Sequence, residues 1–295
     1  MNKEELKENF KGYYKIDEVI NYIDKVNSTY IYEYNNIKCI VYYCKNKDKI
    51  DFERIKEVIE RGHIISNKSK NFIIHLLLTS AKKKFEKNKI LTAKNTNSGF
   101  TYTNRNEIFI FRHEEFAKVI IHELIHHDKL LHNDEFTNIN KKKLLNHFKI
   151  SEDTILILNE AIIEFWATLI HLAFVSCKYK IDYLKLYEYE LNYSLYKSYQ
   201  ILKLKEKNKN KIWCDKCNIY SYIIFKTILL KNINELFKIY TYPYDNTKIT
   251  NFIIEKSGFL NELLKNPPKN PMVKINSQKI QRPSNSLCFM LLSDI

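Results

Sequence analysis

Glycine and proline are scarce in this 295-residue chain, at 4 and 5 residues. That scarcity excludes collagen-like and loop-dominated architectures and favours long regular elements. The 6 cysteines are too few and too scattered for a disulfide scaffold in a chain of this size, so reduced thiols are expected. Arginine is nearly missing as well: of 48 basic residues, only Arg54, Arg61, Arg105, Arg112 and Arg282 carry the planar guanidinium on which nucleic-acid readers lean. The formal charge of +14 (48 basic minus 34 acidic residues) therefore reads as the Lys-, Asn-, Ile- and Tyr-rich bias of AT-rich coding, and specific nucleic-acid binding is not expected. The longest apolar run, Ile155 to Val175, is broken by Asn159, Glu160, Glu164 and His171. Two carboxylates in lipid cost several kcal/mol, so no membrane span is expected. Met1-Asn2-Lys3-Glu4-Glu5 lacks the apolar core of a secretory signal, and an intracellular, cytoplasmic location is expected.

What is present is a foldable chain, 45% hydrophobic and 14% aromatic, long enough for one large domain or a core domain with a smaller companion. Residues 29–44 read as a hairpin: Tyr30 to Tyr34, a turn at Asn35-Asn36, then Ile37 to Tyr43. Asp51 is placed to cap a helix that Gly62 stops. A second helix is predicted from Asn71 to Lys87. Short strands over 100–103 and 108–111 flank a turn at Asn104-Arg105-Asn106. Helices follow over 113–131, 152–177 and 183–205. Lys205 to Lys211 is a charged link, residues 213–264 resume a helical pattern, and Asn266-Pro267-Pro268 opens an extended tail. An apolar patch in that tail, Leu287 to Leu292, is expected to dock on the body. The expected class is α+β, mostly helical, with a small N-terminal β-hairpin or mixed sheet. The expected division is residues 1–204, 205–264 and 265–295.

The chemically informative string is His122-Glu123-Leu124-Ile125-His126. Residues four apart on a helix stand one turn above each other, so both imidazoles reach one ion. Glu123 lies beside the pair, where it can deprotonate a metal-activated water. This is the HExxH zinc motif, and its chemistry explains its spacing. The uncharged neighbours Val119-Ile120-Ile121 and Leu124-Ile125 suit a buried site helix. A catalytic zinc needs a third protein ligand and keeps one position for water.

For that ligand the residues themselves favour Glu160. Glu160, Glu164 and His171 fall at i, i+4 and i+11, one stripe on an otherwise apolar helix. Buried carboxylates are unfavourable unless paired or bound to metal, so an inward stripe marks a site. The plainer reading turns that stripe to water.

The string Asn159-Glu160-Ala161 downstream of HExxH resembles the gluzincins, the thermolysin-like metallopeptidases. The gap of 33 residues between His126 and Glu160 is similar to that of clostridial neurotoxin light chains. The resemblance covers residues 97–170. It implies a zincin-like catalytic domain with one Zn2+ held by His122, His126 and Glu160, and Glu123 as general base. Glu164, one turn on, would orient a ligand histidine. It also implies a peptide or protein substrate, laid against the edge strand Phe100 to Thr103.

His132 is a rival third ligand. It follows His126 with five residues between, the spacing of metzincins and of the SprT-like and WLM groups, and Phe136 also fits the latter pattern. An uninterrupted helix would aim His132 about 100° away from the pair. Metzincins break that helix with glycine, and Lys129 stands there in this chain. Glu164 is a further alternative ligand. An oxyanion donor is needed too, and Tyr183, Tyr187, Tyr220, Tyr222, Tyr240 and Tyr242 are all candidates. His171 reads as a satisfied core histidine. Cys214-Asp215-Lys216-Cys217 has knuckle spacing and would need Cys39 and Cys44 to form a second metal site, so ordinary thiols are expected. The expected function is zinc-dependent peptide hydrolysis. Two alternatives remain: an SprT- or WLM-like protease acting on DNA-bound proteins through His132, and a non-catalytic zinc-binding interaction protein.

Overall fold

A computed structural model of the chain describes residues 1–13, 17–86, 90–102, 104–127, 137–275 and 277–294. The fold is mixed α/β, mostly helical, and divides into two compact units. The first comprises Met1–Lys83, Ala93–Leu130 and Asp294; the second comprises Lys84–Thr92, Leu131–Ser293 and Ile295.

The first unit runs α1 (Lys3–Tyr13), α2 (Asp17–Lys25), β1 (Ser28–Tyr34), β2 (Ile37–Tyr43), α3 (Phe52–Ile65), β3 (Phe72–Thr79), α4 (Ala93–Thr96), β4 (Gly99–Tyr102), β5 (Glu107–Arg112) and α5 (Phe116–His127). Its five strands form one sheet in the order β1-β2-β3-β5-β4. The expected hairpin is there: β1 and β2 pair antiparallel across Asn35, whose φ of 52° an asparagine tolerates. The α3 crossover makes β2 and β3 parallel, β3 and β5 are parallel, and β4 pairs antiparallel with β5 at the far edge. Alternation along each strand splits the side chains between two faces. Cys39, Val41, Ile74, Leu76, Ile108 and Ile110 pack under α3 and α5. On the other face Phe109 and Phe111 pack under α1 and α2, where Phe10 meets Phe100, Phe109 and Phe111 edge-on at 5.3–6.0 Å.

In the first unit three expectations need correction. Residues 71–87 hold no helix among those described: Phe72–Thr79 is the central strand β3, and residues 80–86 are largely irregular. Because β3 is covered on both faces, Phe-Ile-Ile-His-Leu-Leu-Leu-Thr is apolar nearly throughout and lacks the alternation of a half-exposed strand. Asp51 does cap α3, accepting from Arg54 N at 2.9 Å, but Gly62 does not end it. The helix runs on to Ile65, and a Cβ at Gly62 would come within 3.1 Å of Leu124 Cδ1. The glycine thus admits α5 close to α3. Finally, α5 starts at Phe116 rather than His113, because Glu115 at φ 62° interrupts the helical path.

The second unit contains α6 (Asn138–His147), α7 (Leu158–Tyr179), α8 (Tyr183–Lys207), α9 (Lys226–Lys231), α10 (Ile233–Ile239), α11 (Asn246–Glu255) and α12 (Phe259–Lys265), then the small hairpin β6 (Val273–Ile275) and β7 (Gln278–Ile280). A π-helical turn over Tyr220–Phe225 leads into α9 and packs against α7. α7 begins at Leu158, not residue 152, because Ile157 N donates to the Asn218 side chain at 2.9 Å and the chain before it is extended or turned. α7 is long and apolar enough to cross a membrane, yet its Phe165, Leu169 and Leu172 lie in the protein's own apolar clusters. α8 continues through the charged stretch to Lys207, followed by a 3-10 turn over Lys209–Lys211. The tail ends as expected, with Leu287 to Leu292 buried.

Candidate metal centre

α5 is buried nearly all round, so its polar residues stand out. Ile120, Leu124 and Ala117 hold it to the sheet, which fixes the rotation of the whole helix. With that rotation set, the His122 and His126 rings come to 4.9 Å between centroids, tilted 61°. His122 is buried and His126 half-buried. Glu123 is anchored by the edge strand: Thr101 Oγ1 donates to Glu123 Oε2 at 2.6 Å. His127 is tied down separately, with Nε2 3.0 Å from Asn106 Oδ1 and its ring edge-on to Phe72 at 4.5 Å.

In α7 the stripe is inward. Glu164 is 1% exposed and His171 fully buried, which removes the reading of a solvated face. Glu160 sits half-buried in the first turn, and Tyr222 OH donates to its Oε2 at 3.0 Å. The neighbouring Asn159 accepts from the buried Tyr244 hydroxyl. His171 Nε2 lies 3.2 Å from the Leu292 carbonyl, so this histidine ties the tail down. Glu164 is enclosed one turn beyond Glu160.

His122, His126 and Glu160 each offer a ligand atom, and these three atoms lie within 4.8 Å of one another. Among the described residues they form the one such group of metal-ligating side chains. Two imidazole nitrogens and a carboxylate oxygen are a borderline donor set that suits a divalent transition ion, and the group can hold a metal ion. His132, the rival ligand, lies outside the described residues.

Within the Cys214–Cys217 turn the best-bonded side chain is Asp215. Asp215 accepts from Cys217 N at 2.8 Å, Ile219 N at 3.3 Å and Trp213 Nε1 at 2.5 Å, so a carboxylate organises the loop. Burial raises the Asp215 carboxyl pKa, opposed by those same hydrogen bonds.

The tyrosines also sort themselves. Tyr183 and Tyr187 donate to the carbonyls of Leu169 and Leu230, Tyr220 is buried in the core, and Tyr240 accepts from Trp166 Nε1. Tyr242 is exposed. Tyr222 alone among these six has a hydroxyl bonded to a candidate ligand. Its partnership with Glu160, and that of Thr101 with Glu123, has no signal in the sequence, because each spans elements far apart in the chain. Comparison with protein-family models, curated proteins and solved structures finds no match to this chain.

Proposed function

We propose that the chain is a zinc-dependent peptidase of the zincin type, with His122, His126 and Glu160 as ligands and Glu123 as general base. The convergence of the three ligand atoms within 4.8 Å is the observation that carries this reading. The donor set is the His2Glu set of catalytic zinc sites, which leave a position for water. A zinc ion held there supplies Lewis acidity, bringing the pKa of water towards about 7 and polarising a carbonyl.

The remaining roles belong to the protein. Glu123 follows His122 directly, so the helix that presents the ligands also presents the base. With Oε2 held by Thr101, the other carboxylate oxygen of Glu123 takes the proton from the attacking water. The same carboxylate then returns that proton to the leaving amine. The substrate is an extended peptide, because β4 is the sheet edge nearest in register to the base: Thr101 belongs to it. An edge strand offers unpaired main-chain groups to a peptide backbone.

The test is Glu123→Gln, assayed for bound zinc and for cleavage of a broad peptide library. Retained zinc with cleavage lowered by about 10²- to 10⁴-fold is expected. Full activity in that variant would remove the base, and a wild-type protein that takes up no zinc would remove the metal.

A further inference from the structure

The last residues of the chain form a strap, 284–293, that lies in the second unit without joining a sheet. Apart from an isolated bridge to residues 84–85, where Phe85 N donates to the Asn285 carbonyl at 3.0 Å, much of its main chain is satisfied by buried side chains. The Cys288 carbonyl accepts from Tyr193 OH at 3.0 Å and the Phe289 carbonyl from Lys226 Nζ at 2.5 Å. Leu291 N and Leu292 N both donate to the Glu190 carboxylate, at 3.0 and 2.5 Å. Side-chain partners at fixed positions on α8 and α9 set the strap's register, since sliding by one residue would break each of these bonds.

That register places one ring. Phe289 stacks on Tyr222 with centroids 4.8 Å apart and planes 20° from parallel. Tyr222 in turn donates to Glu160 Oε2 at 3.0 Å. It comes from the π-helical turn, whose wider winding lets Tyr220 enter the core while Tyr222 faces α7. A phenol has one O–H to donate, and here it goes to the carboxylate.

We infer that Tyr222 is a positioning residue that fixes the Glu160 carboxylate for the metal, and that the C-terminal strap holds it there through Phe289. The inference rests on the metal reading of His122, His126 and Glu160. A half-buried glutamate has several rotamers open to it, and a ligand must be locked in one to bind tightly. Partners that hydrogen-bond a ligand from outside characteristically contribute about 10- to 100-fold in metal affinity. The strap therefore belongs to the metal centre although no strap residue is a ligand.

The experiment measures zinc affinity of the full chain by chelator competition, in wild type, Tyr222→Phe, Phe289→Leu and Tyr187→Phe. Tyr187→Phe also removes a hydroxyl that donates to a structural partner, the Leu230 carbonyl, and serves as the control. Tyr222→Phe should bind zinc about 10- to 100-fold more weakly, and excess zinc should restore its peptidase activity. Phe289→Leu, which keeps bulk but loses the stacked ring, should weaken zinc by about 2- to 10-fold. Tyr187→Phe should bind zinc as wild type does, even where its melting temperature falls. Unchanged zinc affinity in Tyr222→Phe overturns the inference and leaves the zinc reading standing. So does unchanged affinity with a lowered kcat, which would make the phenol a group acting on substrate. Absence of zinc binding in wild type overturns both.

Discussion

The Thr101 hydroxyl donates to Oε2 of Glu123 across 2.6 Å, joining the edge strand to the helix that carries the histidines. A hydrogen bond of that length to a carboxylate fixes which way the acid faces. On the proposed peptidase reading, a peptide bound along β4 would lie in register with Glu123.

Replacing Thr101 with valine keeps the β-branched shape and removes the donor. Zinc content should be unchanged, while kcat should fall about 10-fold because the base is no longer held in one orientation. Steady-state kinetics alongside metal analysis checks this. A fall in zinc content would show that Thr101 supports the helix rather than the base.

Gly99, two residues before Thr101, leads β4 past β5 and α5. A Cβ there would lie 2.8 Å from Ile110 Cδ1 and 3.0 Å from both the Phe109 carbonyl oxygen and Val119 Cγ1. The carbonyl belongs to β5, inside the sheet, and has little room to yield. Gly99→Ala should therefore destabilise the chain by about 1–3 kcal/mol and push β4 outwards. Denaturant unfolding measures the first effect. The second appears as a larger loss of kcat in Gly99→Ala than its stability explains, since Thr101 moves with the strand.

Much of this site is legible in the amino-acid order, for specific reasons. The pair His122 and His126 announces itself because helix geometry converts a spacing of four into proximity. Glu160 is legible because a carboxylate in an apolar helix needs a partner to be there. β3 is not, because Phe72 to Thr79 is covered on both faces and helical and strand patterns become indistinguishable in such a run. Gly62 has the pattern of a stop signal, and its role as a point of close helix approach depends on Leu124, which lies 62 residues further along the chain. Thr101 and Tyr222 are common residues in ordinary contexts. Only the third dimension joins them to Glu123 and Glu160.

The two leading sequence candidates for the third ligand, Glu160 and His132, separate under mutation. Glu160→Gln should lower zinc affinity by at least about 10-fold, because a neutral amide is a far weaker ligand than a carboxylate. His132→Asn should leave zinc affinity and stoichiometry as in wild type. Inductively coupled plasma analysis and chelator competition on the two purified variants decide the matter. The opposite pattern would overturn the proposed ligand set and put His132, rather than Glu160, in the third position.

Glu190 gives the strap a pH dependence whose sign can be worked out. The residue is fully buried, and burial pushes its carboxyl pKa up from 4.5 to about 7, against the pull of the Leu291 and Leu292 amides and the nearby Lys226 and Arg282 charges. A raised folded-state pKa means that the folded chain holds a proton the unfolded chain has already released. The contribution of Glu190 to stability is thus fully present below pH 4.5 and declines as pH rises through about 7. Over that window the loss is about 3 kcal/mol. Glu190→Gln keeps the size and one acceptor but cannot titrate, and its second group, an NH2, would face a backbone N–H. The variant should be less stable than wild type at pH 5, yet the gap should narrow at pH 8 as the wild type loses its proton-linked stability. Urea unfolding of both proteins at the two pH values is the measurement. A gap that stays constant would mean that the amides and cations around Glu190 keep it ionised in the folded chain, and that the strap is held by charge rather than by a neutral acid.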